Sequence, residues 1–239
     1  MPWWAKEAFS FRKLPSEELP EDIYAGCTYD AFTIDVPRYL HNLGKEVKDF
    51  GGKLLQAQLP INRGLSAFLD AAGDLVKEKT GKSVNAYVNA TGLNAGKIVP
   101  DESVYPIRGQ TVVVRGEASQ LVTIEDVNPS PGKSPSITYV LPHGHSGTTI
   151  LGGTRQADNW NSQPDPNDTK DILERCKRWA PELLTGSGGT FEILSVQVSL
   201  RAGRKGGAKL LLETVGGKLV CHCYGHAGAE YAELQYVSE

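Results

Sequence analysis

No run of apolar residues in this 239-residue chain approaches the roughly 20 needed to span a membrane as a helix. A basic excess is missing as well: 25 Lys and Arg stand against 28 Asp and Glu, a net charge of −3 that gives no positive field for nucleic acid. Cysteine is scarce. Cys27, Cys176, Cys221 and Cys223 suit a reducing compartment better than a disulfide framework. The opening Met1-Pro2-Trp3-Trp4 lacks the basic and then apolar stretch of a secretory signal, and Tyr236-Val237-Ser238-Glu239 is not an organelle-targeting tripeptide. No Gly-x-Ser-x-Gly elbow is present to seat a hydrolase nucleophile. Internal repeats and low-complexity segments are likewise missing. What remains is 40% hydrophobic and 22% charged, a globular composition long enough to bury a core in one large domain or two small ones.

Elements follow from periodicity. Residues 3–22 mix aromatics, lysines and two prolines and read as irregular covering structure. Tyr29 to Ile34 is β-prone. Asp35 followed by Pro37 signals a helix start, and Val36, Tyr39, Leu40, Leu43, Val47 and Phe50 then recur every three or four residues, which predicts an amphipathic helix stopped by Gly51-Gly52. Lys53 to Leu59 predicts a strand, Leu65 to Lys79 a second helix, and Val84 to Asn89 a strand ending at Thr91-Gly92. This alternation is an α/β pattern. After Gln110 short β-rich runs dominate, at Thr111 to Arg115, Ile137 to Leu141 and Thr148 to Leu151, and a helix covers Asp168 to Trp179. Strands at Phe191 to Leu200, Ala208 to Thr214 and Lys218 to Tyr224 close the pattern, the last two joined by a Gly216-Gly217 hairpin turn.

The stretch from Tyr87 to Val114 organises the rest: a strand ends at a glycine turn, and a second strand leaves from an Arg108-Gly109-Gln110 corner. Both a functional and a purely structural turn fit these residues. Arg201 stands at the end of a β-rich run, where it is either a solvated charge or a planar clamp for a carboxylate. Tyr139 alternates with strand neighbours, either as a core aromatic or as a hydroxyl at the sheet edge. Cys221-His222-Cys223 beside His143, His145 and His226 invites a metal reading, but alternate strand residues face opposite ways and the spacing is too short for a structural zinc site. No metal is expected. The strand end Gly225-His226-Ala227-Gly228 can turn successive amides toward an anionic or electron-rich ligand.

Six segments together carry a resemblance: Val88 to Leu93, Pro106 to Gln110, Gly152-Gly153-Thr154, Asn159-Trp160, Leu200-Arg201-Ala202 and His222 to Gly228. In this order and spacing they resemble the D-amino-acid oxidase family in its fungal form, over nearly the whole chain. The resemblance implies an FAD-dependent enzyme that oxidises D-amino acids to imino acids with molecular oxygen, releasing hydrogen peroxide, the imine then hydrolysing to an α-keto acid and ammonia. It implies Arg201 as the clamp for the substrate carboxylate and Tyr139 as its hydroxyl partner. Around FAD it implies Leu59 near the adenine, the Thr91-Gly92 turn, and Gly225, His226, Ala227 and Gly228 near the flavin ring. The implied fold is a mixed α/β one, an incomplete FAD-binding Rossmann-like layer (1–110 and 215–239) joined to a largely antiparallel substrate-binding sheet (111–214). A homodimer is compatible with it, and a peroxisomal or else cytoplasmic setting.

The sequence also departs from that family. It lacks the early Gly-x-Gly-x-x-Gly turn that cradles the FAD pyrophosphate, Glu230 replaces a glycine, Ala232 stands where fungal members carry glutamine, and Arg155 occupies the place of a second tyrosine in some members. These departures predict a truncated or mis-spliced oxidase with weak FAD affinity. An oxidase for D-aspartate, glycine or sarcosine, a cofactor-free amino-acid-binding module and a non-functional fragment are the alternatives.

Overall fold

A computed structural model describes residues 3–125 and 137–228, so Glu230 and Ala232 lie outside the described residues. The chain begins with two helices and a short strand: α1 (Val36–Asp49), α2 (Gly64–Thr80) and β1 (Ala86–Asn89). A larger sheet follows, of β2 (Val104–Arg115), β3 (Val122–Glu125), β4 (Ile137–His143), β5 (Thr148–Gly152) and β6 (Gln156–Ala157). Helix α3 (Pro166–Cys176) leads to β7 (Ile193–Arg204), and β8 (Lys209–Val215) and β9 (Lys218–Tyr224) return to form a small sheet with β1.

The large sheet is antiparallel, in the order β3-β4-β5-β2-β6, with β7 on the other side of β2. The small sheet has the order β8-β9-β1, β9 running antiparallel to β8 and parallel to β1. Mixed α/β is therefore the fold, with its sheets mostly antiparallel. Several elements fall where the pattern put them. Asp35 caps α1 by accepting the amide of Arg38 at 3.2 Å, and Gly216 and Gly217 take φ of 55° and 79° in the β8-β9 hairpin.

Other expectations are corrected. The Arg108-Gly109-Gln110 corner does not exist: β2 runs through it from Val104 to Arg115. No strand forms over 53–59 or 29–34, apart from a two-residue pairing of Arg12–Lys13 with Cys27–Thr28 upstream. A strand exists only where a neighbour accepts its ladder bonds, and among the described residues no strand pairs with 53–59. Helix α3 starts at Pro166 rather than Asp168, because Asp165 caps it by accepting the Asn167 amide at 2.8 Å. The apolar stripe of α1 is present but faces solvent at Leu40, Leu43 and Val47.

The main core lies between α3 and one face of the large sheet. Val112, Val114, Val140, Leu151, Ile172 and Cys176 are sealed there, with Leu183 and Phe191 at its rim. Each large aliphatic so buried contributes about 1.5–3 kcal/mol. Helix α3 covers the even-numbered residues of β2, which leaves the odd-numbered face, with Ile107, Gly109 and Thr111, as the working surface.

Candidate functional site

Antiparallel register assembles that surface. Ile107 pairs with Arg201, Gly109 with Ser199, and Thr111 with both Gln197 and Gly152, while Gly152 also pairs with Tyr139. Directly paired residues share a face, so Arg201 and Tyr139, 62 positions apart in the chain, come together over the centre of the sheet.

Three glycines make the floor beneath them. A Cβ on Gly109 would stand 2.7–2.9 Å from the Arg201 guanidinium, and one on Gly152 would be 2.0 and 2.1 Å from Tyr139 ring carbons. At Gly153 it would meet the Tyr139 hydroxyl at 2.6 Å. Both side chains thus lie flat on bare backbone. Burial raises the Tyr139 pKa above the ordinary phenol value, while the charge and hydrogen-bonding reach of Arg201 oppose that rise without cancelling it. Tyr139 is therefore a proton-bearing hydroxyl at neutral pH, a donor beside a permanent cation. Such a pair can hold one carboxylate by two kinds of bond.

The floor is fixed from behind. Arg175 on α3 donates to the carbonyls of Ile137 (2.9 Å) and Gly153 (3.1 Å) and to the Thr138 hydroxyl. The Cys176 thiol reaches the carbonyls of Tyr139 and Gly152 at 3.7 and 3.8 Å, and burial pushes its pKa up to about 11, which keeps it protonated. Sequence reasoning missed these roles. A helical Arg-Cys pair carries no local sign that it will grip two strands.

Beside Arg201 lies the turn after β1. Gly92 takes φ of 57°, and a Cβ there would come 3.8 Å from the side chain of Ala202, the neighbour of Arg201. The Ala227 amide donates to the Ala202 carbonyl at 2.9 Å, and His226 forms a bridge to Gly203. The Thr91-Gly92 turn, the 225–228 strand end and the clamp strand therefore converge on one residue. Because the Ala227 amide is engaged there, it docks the strand end on β7 rather than pointing outward.

A buried chain of hydrogen bonds steadies the same turn. Thr91 donates its amide (3.3 Å) and hydroxyl (2.7 Å) to Asn89 Oδ1, so the Asn89 amide nitrogen must face His222 Nδ1 at 3.0 Å. Nδ1 then accepts, and His222 Nε2 carries the proton toward Glu213 at 2.7 Å. Cys223 Sγ lies 3.5 Å from His226 Nε2, yet no group of three or more His, Cys, Asp or Glu among the described residues is placed to hold a metal.

The two sheets meet at Asp101, whose Oδ2 accepts from Arg204 Nε and the Tyr224 hydroxyl, both at 2.9 Å. Burial would raise the Asp101 pKa, but these bonds, the Ser103 amide and the Arg204 charge outweigh it and hold it at about 2 against an ordinary 3.8. A depressed carboxylate adds stability above its unfolded pKa and loses it as pH falls toward the folded one. Acid titration followed by circular dichroism should therefore show stability falling between about pH 4 and 2, with the slope flattened in Asp101→Asn. An unchanged slope would remove Asp101 from that role.

A cavity of about 330 Å³ opens between 57–61, the start of α2 and the β1 turn. Leu59, Ile61, Phe68 and Ile98 give it apolar walls, and Gln58, Thr91 and Asn94 polar ones. Two residues expected near a nucleotide, Leu59 and Thr91, thus line one space.

These features define a class: a mixed α/β protein in which an antiparallel sheet face bearing Arg201 and Tyr139 lies beside a turn that lines a cavity of mixed apolar and polar walls. The profile of the FAD dependent oxidoreductase family matches residues 3–232, and the chain belongs to that family. It is 31% identical over 228 residues to a D-amino-acid oxidase of Rubrobacter xylanophilus and 33% identical over 235 residues to one of Schizosaccharomyces pombe, matches that cover 95% of this chain and 62% of each relative. A D-aspartate oxidase of Talaromyces thermophilus is 29% identical over 230 residues, 95% of this chain and 56% of the relative. The chain thus spans about three fifths of the length of these curated relatives. Among solved structures, iminodiacetate oxidase from Chelativorans sp. BNC1 superposes with a TM-score of 0.59 at 16% identity, over 93% of this chain and 60% of that one, a likeness of fold.

The family's cofactor fits part of what is present. The apolar walls and polar edge of the cavity suit an adenine end, and the Gly92 turn lies within reach of the clamp strand. Among the described residues no Gly-x-Gly-x-x-Gly turn serves a pyrophosphate. None of the described helices is long and apolar enough to cross a membrane.

Proposed function

We propose that the chain recognises D-amino acids at the Arg201–Tyr139 pair and serves their oxidation by molecular oxygen to imino acids, with release of hydrogen peroxide. One observation carries the reading: a permanent cation and a protonated phenol lie side by side on a glycine floor, next to the turn that borders the nucleotide-sized cavity. Arg201 binds the α-carboxylate and Tyr139 donates to it, which fixes the α-carbon relative to the Gly92 turn. Leu59, Thr91 and Gly92 would hold FAD, with 225–228 closing the side nearest the clamp strand. When bound, FAD supplies the two-electron oxidation and the route to oxygen. The chain's own work is to orient the substrate and exclude water.

In this reading 1–110 and 215–239 serve the cofactor and 111–214 the substrate, in a homodimer with a peroxisomal or cytoplasmic setting. The test is calorimetric titration with D-alanine together with peroxide release in added FAD. Arg201→Lys replaces a planar fork with a point charge and loses about 1.5–3 kcal/mol, or roughly tenfold to a hundredfold in D-alanine affinity, with the melting curve unchanged. Wild-type affinity in that variant would sink the clamp.

Arg155 supports a second reading. Arg155 immediately precedes β6, whose Ala157 pairs with Ile107 beside the Arg201 position. A second cation there favours an acidic substrate side chain. Preference for D-aspartate over D-alanine, abolished in Arg155→Ala, would select this reading.

A further inference from the structure

The proposed oxidation makes no use of His222, although it is fully buried on β9 with both ring nitrogens engaged. A buried polar ring is tolerated only when each nitrogen is matched, and here the matching runs in one direction. The Thr91 backbone amide can only donate, which makes Asn89 Oδ1 the acceptor and turns the Asn89 NH2 toward His222 Nδ1. Nδ1 must therefore be bare. A second proton on the ring has no other place to go, because Nε2 already carries one toward Glu213. It would face the Asn89 NH2 at 3.0 Å, donor against donor. The smallest rearrangement that relieves this turns the Asn89 amide over, which gives Oδ1 to the imidazolium and leaves the Thr91 amide facing an NH2. Thr91 then loses its acceptor.

The groups around the ring leave this step to His222. Glu213 from β8 accepts from Nε2 in either charge state, and Asn89 from β1 is neutral. On β9 itself the Tyr224 ring stands edge-on at 5.8 Å, its hydroxyl given to Asp101 and Lys209 lying over its face at 6.0 Å. From α2, Asp70 and Asp74 act on Lys218 at the start of β9, Asp70 through a contact of 2.8 Å.

We infer that His222 is a positioning residue that holds the Thr91-Gly92 turn only while its ring is neutral, so that the turn is set at neutral pH and released in acid. Thr91 lines the cavity and Gly92 approaches Ala202, the neighbour of Arg201, so a released turn loosens the junction between them. FAD affinity then falls with pH. That last link rests on the function proposed above, whereas the link from His222 to Thr91 does not.

Heteronuclear NMR of the full chain reads the ring and the turn together. At the upper end of a titration from about pH 8 to 5, the range in which histidines ordinarily change charge, His222 should show a bare Nδ1 and a protonated Nε2. As its ring signal titrates, protection of the Thr91 amide from hydrogen exchange, corrected for the intrinsic pH dependence of exchange, should fall about tenfold. FAD affinity, read by quenching of flavin fluorescence, should fall by a similar factor. Asn89→Asp tests the sign: a carboxylate accepts from Thr91 with one oxygen and from a protonated Nδ1 with the other, so protection should rise as pH falls. His222→Asn keeps an acceptor near the Nδ1 position and carries no charge, so its Thr91 protection should stay level across the range. Circular dichroism at each pH checks that both variants are folded, and the parent's own titration decides the matter if neither is. A proton on Nδ1 at the upper end, a His222 ring that does not titrate in the range, Thr91 protection indifferent to that titration, or a folded Asn89→Asp protein with the parent's trend would each overturn the inference. Thr91 protection that follows His222 while FAD affinity does not would uphold the positioning role and count against the cofactor reading of the turn.

Discussion

Replacing Arg108 with methionine should lower the unfolding free energy by about 3–5 kcal/mol, the cost of leaving one partner of a buried ion pair unmatched. Arg108 is 1% exposed and uses its whole fork: Nε donates to the Asn161 carbonyl, one terminal nitrogen to Gln156 and Asp168, the other to Gln110 and the Gln163 carbonyl, all at 2.7–2.9 Å. No other residue type presents five donors in one plane. Gln110 extends the network by donating to the Asp165 carbonyl and the Thr169 hydroxyl, so both residues dock the start of α3 on β2. Removing the guanidinium leaves the Asp168 carboxylate and several acceptors short of donors. Asp168 keeps 19% side-chain exposure and two longer contacts from Gln156, which points to the lower end of the range. Urea titration measures the loss, as a midpoint shift with unchanged slope. Arg108→Lys should lose nearly as much, because a point charge cannot serve acceptors on opposite sides. Recovery of part of the loss in Arg108→Met/Asp168→Leu would identify unpaired charge as its cause. A midpoint within experimental error of the parent would show that the network contributes little net stability.

The largest expected effect on binding comes from one methyl group, in Gly152→Ala. Its Cβ would stand 2.0 and 2.1 Å from Tyr139 carbons, whereas unbonded carbons sit about 3.5–4.0 Å apart, so the ring must move by more than 1 Å. The backbone beneath cannot yield, because Gly152 is paired on both sides, with Thr111 and with Tyr139, and is contacted from below by Cys176. A displacement of that size should cost about a hundredfold in D-alanine affinity. Gly109→Ala is a weaker version, since the atoms it meets at 2.7–2.9 Å are the end of the flexible Arg201 side chain. Tyr139→Phe is the comparison that removes the hydroxyl and leaves the ring, and it should cost less than Gly152→Ala. Thermal melts separate local displacement from unfolding. Parent-like affinity in a folded Gly152→Ala protein would mean that the ring is no wall of the site.

Both substitutions fall in segments that sequence similarity had already picked out, Pro106 to Gln110 and Gly152-Gly153-Thr154, but for reasons that similarity did not contain. Within the first, Arg108 and Gly109 are neighbours with opposite duties. One turns into the α3 interface and the other lies bare under Arg201, a split that follows from strand alternation once β2 is known to be continuous. A corner at 108–110 would have hidden it. The expected strand over 53–59 failed for the converse reason: alternation there is real, but no neighbouring strand among the described residues accepts its bonds. Local pattern reports what a segment could pair with, not whether a partner lies beside it.

The chain's order of residues by itself determined the helix capped at Asp35, the Gly216-Gly217 hairpin, and the identity of Arg201 and Tyr139 as the residues to watch. Those are encoded locally, in capping oxygens, turn glycines and short motifs. Only the tertiary structure decided that Arg201 and Tyr139 share a face, that three glycines form their floor, and that α3 holds that floor from behind. Each of these depends on register between strands far apart in the chain. Register is set by the summed fit of whole strands and leaves no mark at any single position.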